Sequence, residues 1–199
     1  PTPRLFLALW PDDDTRTALL AWQQAQTWPA TARLTRPDDL HLTLHFMGAV
    51  PQSALTELKH ALPTPEATVS LCLDHLDVWP NDVAVLCPTV TPPALLAMHR
   101  QLADALRQCD LSVESRPYQP HVTLARRARG LQPHALPALR WTTRHYGCRR
   151  DSTASVSSPK VGARRVMAPG VRDSLGTMPG TCTVSPSGVV TGTVISRAW

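Results

Sequence analysis

A nine-residue pattern occurs twice in this chain, and it constrains the fold more than anything else in the sequence. Arg36-Pro37-Asp38-Asp39-Leu40-His41-Leu42-Thr43-Leu44 and Arg116-Pro117-Tyr118-Gln119-Pro120-His121-Val122-Thr123-Leu124 share Arg-Pro, three variable residues, then His-x-Thr-Leu. The identities fall at fixed offsets, each roughly a one-in-ten to one-in-twenty event from average composition, so coincidence is a poor account. Each copy also follows the same prelude: an apolar run stopped by proline (Trp10-Pro11; Cys87-Pro88), then a long amphipathic segment. The chain is therefore expected to be an α+β protein of two pseudo-symmetric lobes, each with a largely antiparallel sheet and outer helices, around a central groove.

Strand alternation sends His41 and Thr43 to one face and Leu42, Leu44 and Phe46 to the other. The leucines then fill a lobe's core, and the polar pair faces the space between lobes. His121 and Thr123 do the same from the second copy. Two imidazoles across one groove form an acid-base pair, because a neutral ring takes a proton from attacking water while an imidazolium opposite protonates a departing oxygen. The threonine hydroxyls suit the nonbridging oxygens of a phosphodiester. No metal is required by this chemistry. His41 and His45 stand at i, i+4, a zinc-helix spacing, but no glutamate follows His41 and a strand holds the two rings apart. By alternation His45 falls on the His41 face, where it either lines the groove or is a solvated strand residue. Tyr118 either stacks on a nucleobase or packs beside Pro117 and Pro120. The remaining histidines, His60, His75, His99, His134 and His145, read as structural.

Around the repeat, the pattern predicts a strand at 5–10, a helix from Asp12 to about Trp28, a strand at 40–47 ended by Gly48 and a helix at 51–62. It then predicts strands at 69–73 and 83–87, a helix at 93–109 with Leu95, Met98, Leu102 and Leu106 on one face, and strands near 111–113 and 121–125.

The formal charge of +5 does not point to broad nucleic-acid capture. From Gly147 onward there are seven Lys+Arg against two Asp+Glu, and the thirteen of each sign before it leave the body neutral. Leu175 is the lone leucine after Gly147, whereas seven of nine glycines and eight of twelve serines lie in that stretch. Such a segment has little to bury. Residues 147–199 are expected to be an irregular basic tail on a domain of residues 1–146, and the switch is abrupt enough to suggest a change of reading frame near Gly147. The five cysteines are scattered without a C-x-x-C, which predicts reduced thiols, and no signal-like or membrane-spanning apolar block is present. A cytoplasmic monomer is the expectation.

His41-Leu-Thr-Leu-His-Phe-Met-Gly48 and Pro120-His-Val-Thr-Leu-Ala-Arg126 closely resemble the paired His-x-Thr motifs of the two-histidine phosphoesterases, specifically the LigT-like RNA 2′,3′-cyclic phosphodiesterases, first named 2′-5′ RNA ligases. The resemblance covers roughly residues 4–146. It implies a catalytic set of His41, Thr43, His121 and Thr123 acting without cofactor on RNA ends that carry a 2′,3′-cyclic phosphate. It also implies that Arg126 is a phosphate contact. Further, it implies that His121 activates water and His41 protonates the ribose 3′-oxygen, although pseudo-symmetry makes the two chemically alike. The same groove fits ligation to a 5′-hydroxyl, or a silent RNA-binding module. The family continues with a further strand pair where this chain enters its tail, so one lobe's sheet is expected to lack a strand.

Overall fold

The computed structural model describes residues 2–151, which lie in one compact unit. Its elements run β1 (Arg4–Leu9), α1 (Asp13–Gln24), β2 (Arg33–Leu34), a single 3-10 turn at Pro37–Asp39, β3 (Leu42–Ala49), α2 (Ala54–Ala61), β4 (Val69–Leu73), β5 (His75–Trp79), β6 (Val83–Cys87), α3 (Pro93–Gln108), β7 (Val122–Arg126), β8 (Leu139–Thr143) and β9 (Gly147–Arg150). The fold is α+β, as expected.

The two copies of the motif are halves of one sheet. Its strand order is β5-β6-β7-β3-β1-β9, with the short β2 added to β7. Read from the centre outward, each half has a motif strand (β3 or β7), then the apolar strand that precedes its helix (β1 or β6), then an edge strand (β9 or β5). The two motif strands β3 and β7 pair at a single antiparallel rung, Leu42 opposite Val122, and β2 of the first half adds two more rungs to β7. Among the described residues each half has three strands of the large sheet: β9 pairs with β1 from Leu5–Arg150 to Ala8–Gly147, so Gly147–Arg150, which the sequence reading put in the irregular tail, form an edge strand. Four residues suffice for an edge strand, and a composition average over a fifty-residue tail does not register them. The rest of that tail, with the suggested frame change, lies outside the described residues.

The core fills the helix side of the large sheet. Leu5, Leu7, Leu9, Leu42, Leu44, Leu86, Val122 and Leu124 point there and meet Leu19 and Trp22 of α1 and Leu95, Leu102 and Leu106 of α3. Asp12 caps α1 by accepting from the Thr15 amide at 2.8 Å. The helix stops at Gln24, with Ala25 as its C-cap, short of the expected end at Trp28. Pro93 opens α3, where its missing amide proton costs nothing. A second sheet, β4 with β8, packs against α1 and α3 and carries Trp141, only 1% exposed. Trp141→Ala is expected to cost about 3–5 kcal/mol of stability, read as a lower denaturant midpoint.

Residues 111–113 are not a strand. The neighbouring positions beside β7 are already taken by β6, β3 and β2. Edge strand β5, missed because His75 and Asp77 interrupt its apolar pattern, forms a hairpin with β6 through Asn81 and Asp82. Both adopt left-handed φ values of 68° and 60°, which these residue types tolerate.

Candidate active site

Simple alternation fails inside both motifs, and at the same residue. Leu7 pairs with His45 and Ala8 with Thr43, so Leu44 is an extra residue in β3. In the other half Ala84 pairs with Ala125 and Val85 with Thr123, leaving Leu124 extra in β7. A bulge shifts side-chain parity by one. After it, Phe46 and Arg126, each five residues beyond its histidine, return to the groove face. Phe46 is 38% exposed and sits opposite Phe6, whose ring packs on His41.

The same bulge removes His45 from the groove. It is 3% exposed, its Nε2 donates to the His99 carbonyl at 2.8 Å, and its ring stacks on His99 of α3 at 4.0 Å. Tyr118 stacks on the other face of His99 at 3.9 Å and donates its hydroxyl to the Thr43 carbonyl at 3.2 Å. Both residues lie behind the motif strands, so neither the groove position of His45 nor the base-stacking reading of Tyr118 stands.

His41, Thr43, His121 and Thr123 are brought together. The register of the Leu42–Val122 rung sets Thr43 beside His121 and His41 beside Thr123, all four opposite the buried Leu42 and Val122. His41 Nδ1 bonds to the carbonyl of Asp39, two residues earlier, at 2.6 Å. His121 Nδ1 bonds to the carbonyl of Gln119, also two residues earlier, at 2.8 Å. A carbonyl only accepts, so the proton sits on Nδ1 in each ring, and Nε2 is the atom left for a substrate. The repeat thus extends from residue types to tautomers.

The surroundings differ. Phe6 and Trp10 lie against His41 with ring centroids at 4.9 and 4.8 Å, and Arg149 of β9 stacks on Trp10 at 3.7 Å. His121 rests on Trp79 at 4.4 Å. Burial lowers both imidazole pKa values from the ordinary 6.5, opposed in part by the carbonyl bonds. Arg149 and His121 push His41 further down, and Arg126 does the same to His121. Arg126 therefore sits within electrostatic reach of His121, and Arg149, which composition had assigned to the tail, is its counterpart at His41. Phe6 was not singled out, because the apolar run at 5–10 reads as a strand buried on both faces. Nor was Trp79, because β5 itself was missed. Among the described residues no three His, Cys, Asp or Glu side chains cluster as a metal site, and no helix is long and apolar enough to cross a membrane.

The family model of the 2′-5′ RNA ligase superfamily matches residues 11–149. The chain belongs to the 2′-5′ RNA ligase superfamily. Within it, the chain is 29% identical over 143 residues to the RNA 2′,3′-cyclic phosphodiesterase of Escherichia coli (strain K12), covering 70% of this chain and 80% of that one. It is 32% identical over 109 residues to an enzyme of the same name from Geobacillus stearothermophilus, covering 52% of this chain but only 35% of the relative. A crystal structure of E. coli LigT complexed with 3′-AMP superposes with a TM-score of 0.69 at 24% identity, over 78% of this chain and 91% of that one. That likeness speaks for the fold.

Proposed function

We propose that this protein hydrolyses RNA 2′,3′-cyclic phosphate ends to 2′-phosphomonoesters. The observation that carries the reading is the matched pair of imidazoles, each tied through Nδ1 to the carbonyl two residues back and set on one face of a single rung. Two relatives that bear the name of this activity support it. His121 Nε2 takes a proton from water as the water oxygen bonds to phosphorus, and the phosphorus to 3′-oxygen bond breaks. His41 Nε2 gives its proton to that oxygen, leaving a 3′-hydroxyl and a 2′-phosphate. Thr43, Thr123 and Arg126 hold the nonbridging oxygens, and each proton transfer contributes about 10²- to 10⁴-fold. No metal or cofactor takes part in these steps.

Ligation through the same histidines is the rival. Supplying RNA with a cyclic-phosphate end together with 5′-hydroxyl RNA separates the two: the expected product is the 2′-phosphorylated strand, and accumulation of a joined strand instead would favour ligation. A silent RNA-binding module would give neither.

The pH profile follows from the lowered pKa values. Activity needs one neutral and one protonated ring, and burial lowers both pKa values in the free enzyme. The bell of kcat/KM is therefore expected to peak below 6.5, the ordinary value from which both are lowered. A bound phosphodiester anion favours the imidazolium, so the kcat bell should lie at higher pH than that of kcat/KM. A kcat/KM optimum above pH 6.5 would contradict this electrostatic picture.

A further inference from the structure

At each bulge a side chain from the other half of the molecule approaches the carbonyl of the extra residue. Gln23 of α1, in the first half and 4% exposed, donates Nε2 to the Leu124 carbonyl at 2.8 Å and to the Thr35 carbonyl at 3.0 Å. The Thr35 amide donates to the same Leu124 oxygen at 2.9 Å. In the second half, the ring of His99 on α3 comes within reach of the Leu44 carbonyl, which favours its protonated form. His45 and Tyr118 stack on the two sides of that ring at 4.0 and 3.9 Å, and Tyr118 holds the adjoining Thr43 carbonyl.

Leu44 and Leu124 are the residues at which parity changes, so whatever fixes their peptide planes fixes where Thr43 and Phe46, or Thr123 and Arg126, point. The donors differ chemically but occupy matching places: a helix of one half reaches the bulge of the other. A side-chain donor held in a packed helix restrains a bulge's peptide plane beyond what the neighbouring strand does, as buried Gln23 adds to the Thr35 amide at the Leu124 carbonyl.

We propose that Gln23 and His99 are positioning residues for the hydrolysis, acting crosswise: Gln23 holds the Thr123–Arg126 segment beside His121, and His99 holds the Thr43–Phe46 segment beside His41. This rests on the function proposed above. Burial and the neighbouring His45 lower the His99 pKa to about 4, so the ring is neutral wherever the enzyme works and behaves as a fixed donor like the Gln23 amide.

The test uses near-isosteric loss and exchange of donors in the full chain. Gln23→Met and His99→Met are each expected to lower kcat about tenfold or more with KM changed far less, because a small displacement at a reacting centre costs rate before affinity. His99→Gln, which supplies the amide its counterpart uses, is expected to retain most of the activity. Should Gln23→Met fail to fold, Gln23→Asn, one methylene short of the Leu124 carbonyl, is expected to show the same loss. Imidazole ¹⁵N spectra provide a readout independent of turnover: Gln23→Met should shift the His121 resonances and spare His41, and His99→Met the reverse. Folded Met variants with parental kcat, His99→Gln as impaired as His99→Met, or resonance shifts that do not cross over would each overturn the proposal. A parent protein inert toward cyclic phosphates would instead count against the function alone, and the crossed spectra would still decide the positioning.

Discussion

Replacing either His41 or His121 with alanine is expected to lower turnover of a 2′,3′-cyclic phosphate by about 10²-fold or more, because each substitution removes one of two obligatory proton transfers. The double variant should be little worse than either single one, since a concerted pair fails when one member is missing. Stability should fall modestly for His41→Ala, whose ring touches Phe6 and Trp10, and for His121→Ala, which loses the contact with Trp79. Thermal unfolding run beside the kinetics distinguishes loss of chemistry from loss of fold. A folded single variant with parental turnover would remove that histidine from the mechanism.

A larger contrast is expected when the leaving group changes. An aryl phosphodiester departs without needing a proton, so loss of the acid should matter much less than loss of the base. With His41 as acid and His121 as base, His41→Ala should recover most of its about 10²-fold deficit on the aryl substrate and His121→Ala should not. The structure gives the two rings the same tautomer and the same carbonyl anchor, so only such a chemical asymmetry separates them. The opposite pattern would exchange the roles while leaving the pair intact.

The halves of the sheet were legible because the repeat carries its own prelude: a proline-stopped strand and a helix before each His-x-Thr. Helix α3 was legible from Leu95, Met98, Leu102 and Leu106, all of which are buried. The bulges at Leu44 and Leu124 were not. An extra residue leaves no mark in a hydrophobic pattern when both positions flanking it can be buried, and alternation then misplaces everything after it. This is why His45 was expected on the groove face and lies against α3 instead. Tyr118 was misjudged for a related reason: its loop follows no period, and its orientation is set by His99, a residue the sequence offered only as structural. Arg149 was hidden by averaging, four strand residues being swamped by the composition of the segment they open.

The central claim is that two imidazoles, with no added metal, cleave a cyclic phosphodiester in one direction. The most direct measurement is ³¹P NMR of cytidine 2′,3′-cyclic phosphate incubated with the protein in excess EDTA. The expected result is conversion of the cyclic resonance into that of the 2′-monophosphate alone, at a rate unchanged by the chelator and abolished in His121→Ala. A cyclic resonance that persists until a divalent metal is added, or a 3′-monophosphate product, would contradict the account.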